Sequence, residues 1–135
     1  MGIFNFFKPK SENGQFVSDS ALKKNINKQM QMTPQTLDQL RKYNVAVDKE
    51  LKLEYFFYTN SAAKAEQLAF EIEKLNYKVE SGVSTSDKKL FMVTGWTTKM
   101  KMSNEVVIQW TKEMCELGYK FDCDFDGWGT EPDQE

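Results

Sequence analysis

The chain has 135 residues, of which 40% are hydrophobic, 13% aromatic and 28% charged, a composition typical of one globular domain. The absence of histidine excludes catalytic triads and metal sites that depend on imidazole. The net charge is −2, but residues 51–135 carry 15 acidic and 10 basic side chains. This acidic excess disfavours direct binding of nucleic acid, because phosphates would be repelled.

The cysteine count and the hydropathy pattern bear on the cellular setting. Cys115 and Cys123 are too few for a disulfide framework or a structural zinc site. Neither cysteine lies beside a base or a helix start that would activate it, so we predict two small buried thiols. No apolar run is long enough to span a membrane, and no signal peptide is recognisable. These features predict a cytoplasmic protein.

The first 32 residues are rich in Lys, Asn, Gln and Ser and show little hydrophobic periodicity. Residues 1–32 therefore predict an N-terminal extension that is partly flexible or in contact with a partner. Its aromatic cluster, Phe4, Phe6 and Phe7, is a candidate contact patch. The cluster either packs back onto the domain, joins two copies of the chain, or is a short anchor for a partner or a membrane surface.

Residues 33–50 predict a short helix followed by a linker. Thr33 is a residue type that caps helices, and Pro34 suits the first helical position because the N–H that proline lacks is not needed there. The apolar residues that follow repeat at helical spacing. The pattern predicts a helix over 34–44.

Residues 51–130 alternate between strand and helix patterns in the order βαββαβ, and residues 131–135 form an acidic tail. The predicted strands cover residues 51–58, 77–83, 90–98 and 119–125. The predicted helix caps are Asn60 or Ser61 and then Ser103, and the predicted helix stops are Asn76 and Gly118.

An internal repeat supports this order. Residues 75–80 match residues 117–122 at an offset of 42, and Ser61 aligns with Ser103 at the same offset. Each half is a strand, a capped amphipathic helix and a second strand. We therefore predict an α+β, ferredoxin-like fold, in which a four-stranded antiparallel sheet carries two helices on one face and an N-terminal helical extension is added.

The most distinctive stretch is Asp-Cys-Asp-Phe-Asp-Gly-Trp-Gly-Thr at 122–130. Alternation places Asp122, Asp124 and Asp126 on one face of a strand, where they are solvated or attract a basic group. The three aspartates match the first positions of a calcium-binding loop. The Glu that closes such a loop is missing, so no metal site is predicted. Trp128, between two glycines, either packs against the end of the sheet or is an exposed anchor for a partner.

The aromatic residues at 55–58 are also typical of RNA-recognition modules, which stack bases on the central strands. The third predicted strand lacks their Lys/Arg-Gly-Phe signature, and the domain is acidic, so we predict no direct binding of nucleic acid. Small-ligand binding or catalysis on the open face of the sheet is an alternative. It would require polar groups that converge on a pocket.

Five stretches carry a family resemblance: Glu-Tyr-Phe-Phe-Tyr at 54–58, Ala-Glu at 65–66, Tyr-Lys-Val at 77–79, Leu-Gly-Tyr at 117–119 and Asp-Phe-Asp-Gly-Trp-Gly-Thr at 124–130. With them, residues 53–130 resemble the regulator of ribonuclease activity B family, proteins known as inhibitors of ribonuclease E. The resemblance implies a ferredoxin-like fold and a bacterial, cytoplasmic regulator of RNA decay. It implies no catalytic residues and no cofactor.

We therefore expect a protein-binding regulator rather than an enzyme. The expected partner is a ribonuclease with a basic segment. The residues expected to bind it are Asp122, Asp124, Asp126 and Trp128. The alternatives are a ligand-binding or enzymatic domain that uses the open sheet face, and a self-associating module with a different partner, in which the N-terminal aromatic cluster joins the copies.

Overall fold

Residues 14–134 are the part of the chain that the computed structural model describes, and they form three helices and six strands. The helices are α1 (Asp19–Lys42), α2 (Ala62–Glu73) and α3 (Asn104–Lys120). The strands are β1 (Glu50–Leu51), β2 (Glu54–Thr59), β3 (Lys78–Val83), β4 (Phe91–Trp96), β5 (Met100–Lys101) and β6 (Asp124–Gly129).

Antiparallel pairing organises these strands into two sheets. The main sheet has four strands in the order β3-β4-β2-β6, and β1 pairs with β5 in a separate two-stranded sheet. The predicted strand 51–58 is thus divided between the two sheets. The α+β class and the four-stranded antiparallel sheet are confirmed.

The predicted starts of two helices are also confirmed. Ser61 and Ser103 are the N-caps of α2 and α3, and each hydroxyl oxygen accepts a hydrogen bond from the backbone N–H three residues later. Asn76 adopts the left-handed backbone conformation, with a φ of 66°. The left-handed turn at Asn76 ends the helical path after α2 as predicted, and β3 begins two residues later.

The first helix is longer than predicted. α1 begins at Asp19 and passes through Pro34, so the predicted start at this proline is wrong. Buried or partly buried side chains recur along the inner face of α1 at 22, 26, 29, 33, 37 and 40, which is helical spacing. The polar residues Gln29 and Thr33 interrupt this stripe and hide its period in the sequence. α1 therefore crosses the boundary predicted after residue 32.

The end of α3 also differs from the prediction. Gly118 does not end the helix, which continues to Lys120, and β6 starts after Asp122 rather than at residue 119. A Cβ atom on Gly118 would lie 2.6 Å from the carbonyl oxygen of Cys123, so glycine allows α3 to pack closely against the chain that enters β6. Asp122 makes the left-handed turn here, with a φ of 60°.

Alternation along β2 divides the main sheet into two different faces. Tyr55, Phe57 and Thr59 are fully buried, whereas the residues between them are partly exposed. Tyr55 and Phe57 belong to one hydrophobic cluster with side chains of α2, α3 and the C-terminal part of α1. One face is therefore covered by helices, and the opposite face of β2 stays accessible.

Candidate functional site

The accessible side of the main sheet is called the open face, and it is centred on β2 and β4. The antiparallel register places three pairs side by side on it: Glu54 and Trp96, Phe56 and Thr94, and Tyr58 and Met92. All six residues are partly exposed. Three aromatic side chains thus lie on two neighbouring strands, an enrichment typical of protein contact surfaces.

Charged residues at the margins of the open face are mainly acidic. On one side, β3 presents exposed Glu80 and Lys78, which are paired with the open-face residues of β4. On the other side, Asp124 of β6 is paired with a residue of β2, and Asp126 is exposed. With Glu54, four carboxylates and one lysine of the main sheet surround the aromatic residues. This distribution favours a basic ligand.

Asp124 lies where helix α1 meets the edge of the sheet. Burial raises the pKa of its carboxyl group and the carboxylate of Asp126 raises this pKa further, whereas Lys28 on α1 lowers it. The side-chain amide of Asn25 donates hydrogen bonds to the Asp124 carboxylate at 3.3 Å and to the Phe125 carbonyl oxygen at 2.7 Å. α1 therefore fixes the position of this carboxylate.

A β-bulge changes the direction of side chains along β6. The register against β2 shifts at Asp126, which is the extra residue on β6. Gly127 follows with a φ of 139°, a conformation that favours glycine. Beyond the bulge, Trp128 pairs with the fully buried Tyr55 and lies on the helix-covered face. The simple alternation predicted for this stretch is therefore wrong beyond Asp126.

Asp122 lies outside the open face. Its carboxylate accepts hydrogen bonds of 2.7–2.9 Å from the backbone N–H groups of Phe16 and Val17, and it pairs with the Lys64 ammonium group at 2.6 Å. This carboxylate joins the segment before α1 to α2 and to the turn before β6. The predicted arrangement of three aspartates on one strand face is wrong for Asp122, because it precedes the strand.

Trp128 packs against the end of the sheet, in the arrangement that was one of the two predicted. Its indole Nε1–H donates a hydrogen bond to the Thr33 hydroxyl at 3.1 Å. Its ring meets the ring of Trp110 edge-on, with centroids 6.4 Å apart. Thr33, the predicted cap of a helix, instead lies inside α1 and is buried as the partner of this indole.

Substituting Trp128 by phenylalanine tests this contact. We expect Trp128→Phe to lower the free energy of unfolding by about 1–2 kcal/mol, because the buried Thr33 hydroxyl loses its donor. Trp96→Phe is the matched control, since the Trp96 ring lies on the open face. Its loss of unfolding free energy should be less than half of the loss in Trp128→Phe. Equal losses in urea denaturation of the two variants would contradict the assigned role of Trp128.

Trp128 also lines a groove of about 200 Å³ between α1 and the edge of the open face. This marginal groove is lined by Gln29, Met32, Thr33, Thr36, Phe56, Asp126, Gly127 and Trp128. It connects Asp126 and Trp128 of the predicted site with Phe56 of the open face. The structure thus brings three of the four predicted site residues to one margin of the sheet, and places Asp122 elsewhere.

The two cysteines are buried and free, as predicted. Burial raises the pKa of each thiol to about 12, and neighbouring carboxylates, Asp124 for Cys115 and Asp122 for Cys123, raise it as well. For Cys123 these effects are opposed by hydrogen bonding with Thr59 and by Lys64. Both thiols therefore stay protonated at neutral pH and are poor nucleophiles.

A metal site is not formed within residues 14–134. Cys, Asp and Glu side chains do not gather anywhere in this range in a group able to hold a metal ion. None of the helices described there is long and apolar enough to cross a membrane. The aromatic cluster Phe4, Phe6 and Phe7 lies outside the described residues.

The family model described as regulator of ribonuclease activity B matches residues 30–130. The chain belongs to this family. The matched range includes β1–β6, α2, α3 and the part of α1 from residue 30 onward, which holds Met32, Thr33 and Thr36 of the marginal groove. Membership in the regulator of ribonuclease activity B family identifies a regulatory protein and suggests a ribonuclease as its protein partner. Comparison with curated protein sequences gave no significant match.

Sequence reasoning did not single out every part of the candidate site. The sequence predicts Trp96 and Met92 only as part of the strand at 90–98, because strand alternation gives no sign of which face the helices cover. Once the helix stripes and the strand order are combined, the even-numbered residues of β2 and β4 are the accessible ones. The marginal groove depends on the full length of α1, which the sequence pattern obscured.

Proposed function

We propose that the chain regulates a ribonuclease by binding to it without catalysis, through the open face and the marginal groove. The observation that supports this most directly is an aromatic centre surrounded by carboxylates on an accessible sheet face. Aromatic residues supply most of the binding energy at protein interfaces, whereas charges at the rim steer the partner and select it. Occupation of the partner's surface would inhibit cleavage of RNA.

The proposed partner surface is a basic protein segment. Glu54, Glu80, Asp124 and Asp126 outnumber Lys78 on the sheet and Lys28 on the neighbouring helix. A phosphate backbone would meet this excess of negative charge with repulsion, so RNA is not the direct ligand in this proposal. Lysine and arginine side chains of the ribonuclease would lie at the margins and leave the aromatic centre for apolar contacts.

The four residues predicted from the sequence have different roles in the proposal. Asp124 and Asp126 attract the basic segment. Trp128 lines the marginal groove and supports its wall from the helix-covered side. Asp122 contributes indirectly, because it anchors the start of α1 through its bonds to Phe16 and Val17.

We also propose that the main sheet with α2 and α3 is a ferredoxin-like domain covering residues 51–130. The strand order β3-β4-β2-β6 supports this proposal, because the first and third strands of the βαββαβ unit are then central and the second and fourth are at the edges. In this division, residues 1–32 and 33–50 are accessory segments that share the continuous helix α1, and residues 131–135 are the acidic tail.

Binding measurements with purified variants test the proposed function. A ribonuclease captured by the full chain from nuclease-treated lysate is identified by mass spectrometry, and its affinity is then measured by calorimetry. We expect the Tyr58→Ala and Trp96→Ala variants to weaken binding by about 30-fold each, since truncation of a central aromatic costs about 2 kcal/mol.

Matched controls separate the open face from the rest of the surface. Tyr43 is 69% exposed and lies after α1, so Tyr43→Ala should bind as the parent protein does. Asp124→Asn with Asp126→Asn should weaken binding, whereas Asp38→Asn on α1 should not. Equal affinity of the open-face variants and the Tyr43 control would exclude the open face. Loss of binding only after removal of Phe4, Phe6 and Phe7 would assign the contact to the N-terminal aromatic cluster, and a lower mass in solution for the same variant would favour the self-association alternative.

The raised pKa of Asp124 predicts a pH dependence of binding. As the pH is lowered, Asp124 loses its charge at a higher pH than an ordinary carboxyl group does, so affinity for the basic partner begins to fall earlier. Loss of one such charge lowers the affinity by up to about fivefold. Asp124→Asn should remove this part of the pH profile. A parent profile that is identical to that of Asp124→Asn would contradict the prediction.

A further inference from the structure

A second groove lies on the helix-covered side, against α3. Its volume is about 510 Å³. Its apolar lining is formed by Tyr77, Met100, Val106 and Trp110. Val106 is 40% exposed although it is on the same helix as the buried core residues. The groove thus exposes apolar surface that the core does not cover.

The floor of this groove is held in place by side-chain contacts. The Trp110 indole Nε1–H donates a hydrogen bond to the Tyr77 hydroxyl at 3.2 Å. The Trp110 ring also meets the Phe125 ring edge-on, with centroids 5.9 Å apart. Only 6% of Trp110 is exposed. A ligand would therefore meet a preformed surface, which lowers the entropic cost of binding.

One wall of the groove is acidic. Glu105, Gln109 and Glu113 form a row at intervals of four residues on α3, and the Gln109 amide donates a hydrogen bond to the Glu113 carboxylate at 3.2 Å. Lys99 and Lys101 flank Met100 in the chain but do not line the groove, and no other described basic side chain lines it. We call this feature the acidic groove.

The spacing of the two carboxylates specifies the ligand further. Eight residues of helix separate Glu105 from Glu113 by about 12 Å along the axis. An extended peptide covers this distance in three or four residues. An apolar side chain between two basic residues would then lie over Trp110 and Val106.

We infer that the acidic groove binds an extended basic segment of a protein partner, with two Lys or Arg residues three or four positions apart and a bulky apolar side chain between them. Charge complementarity with Glu105 and Glu113 and the apolar floor carry this inference. It adds a second contact to the proposed function and depends on that function only for the identity of the partner.

A peptide titration of the full chain tests the inference without a ribonuclease. The probe is acetyl-Gly-Lys-Ala-Phe-Ala-Lys-Gly-amide, observed through the ¹⁵N-labelled tryptophan indole groups. Trp110 and Trp96 report on separate surfaces, because Trp110 lies in the acidic groove and Trp96 on the open face. We expect a saturable shift of the Trp110 indole signal and no shift of the Trp96 signal.

Paired variants provide the control for charge. Glu105→Gln combined with Glu113→Gln should lower the affinity for the peptide about fivefold to tenfold, since each exposed ion pair contributes up to about fivefold to the affinity. Glu73→Gln combined with Glu116→Gln makes the same change in net charge at exposed residues outside the groove and should leave affinity unchanged. Equal weakening by both pairs would overturn the inference.

Further outcomes also overturn it. A peptide with alanine in place of phenylalanine that binds equally well would show attraction by charge alone. A shift of Trp96 instead of Trp110 would assign the basic segment to the open face and leave only the proposed function standing. Tighter binding of a peptide of residues 2–10 would identify a second copy of the chain as the occupant. Failure of the titration while ribonuclease binding persists would refute the acidic groove alone.

Discussion

Gly95→Ala is expected to destabilise the fold by about 4 kcal/mol, a large fraction of the stability of an ordinary domain. A Cβ atom on Gly95 would lie 1.8 Å from the Lys78 carbonyl oxygen and 2.6 Å from the Tyr55 hydroxyl oxygen. Tyr55 is fully buried, and its hydroxyl donates a hydrogen bond to the same Lys78 carbonyl at 2.5 Å. The methyl group would force these backbone and side-chain atoms apart.

Gly82→Ala is the matched control for this substitution. Gly82 lies on the adjacent strand β3, and a Cβ atom there would meet nothing within 4 Å. The control should change the free energy of unfolding by less than about 0.5 kcal/mol, as is usual for exposed positions. Urea denaturation measures both variants. A Gly95→Ala variant as stable as the Gly82→Ala control would show that β3, β4 and Tyr55 do not pack as described.

Asp122→Ala is expected to cost about 3 kcal/mol of stability. The substitution removes the carboxylate partner of Lys64, whose side chain is only 19% exposed, and it leaves the N–H groups of Phe16 and Val17 without their acceptor. It also places alanine at a φ of 60°, which is unfavourable for a residue with a Cβ atom. These costs share one cause, the position of Asp122 at the junction of three segments.

Two further substitutions separate the contributions to this loss. Asp122→Asn keeps a side chain that tolerates the left-handed conformation and still accepts a hydrogen bond, so about half of the cost should remain. Asp126→Ala removes an exposed carboxylate from the same motif and should change stability by less than about 0.5 kcal/mol. If Asp122→Ala and Asp126→Ala had the same effect on thermal unfolding, the anchoring role of Asp122 would be refuted.

Local signals in the sequence were sufficient for the central part of the fold. Ser61 and Ser103 precede regular apolar stripes, and Asn76 is a residue type that accepts a left-handed turn, so the limits of α2 and the start of α3 could be predicted. The aromatic-rich stretch at 51–58 correctly predicted a strand, although its run of aromatic residues did not separate the buried from the accessible ones. These features depend on interactions between residues that are close in sequence.

The errors arose where distant residues satisfy each other. Gln29 and Thr33 are polar but buried on α1, and Thr33 is the acceptor for the Trp128 indole, so the apolar period of the helix is interrupted. Pro34 resembled a helix start, yet α1 continues through it. Gly118 resembled a helix stop, yet it lies inside α3, where its missing side chain admits the Cys123 carbonyl oxygen.

The candidate site was only partly predictable for the same reason. Asp122, Asp124 and Asp126 alternate in sequence, but the turn at Asp122 and the bulge at Asp126 place them in three different settings. A one-residue bulge moves every later side chain to the opposite face, which explains why Trp128 is not beside Asp126 on one strand face. Gly127 within the strand pattern is a signal for a local irregularity, but the residue at which the register shifts depends on the paired strand.

The measurement that tests the central claim most directly is inhibition of the captured ribonuclease by the full chain. Initial rates of RNA cleavage are compared for the parent protein, the Tyr58→Ala/Trp96→Ala double variant and the Tyr43→Ala control, after circular dichroism confirms that each is folded. The proposal predicts that the parent and the control slow cleavage equally and that the double variant does not at the same concentration. Full inhibition by the double variant would contradict regulation through the open face.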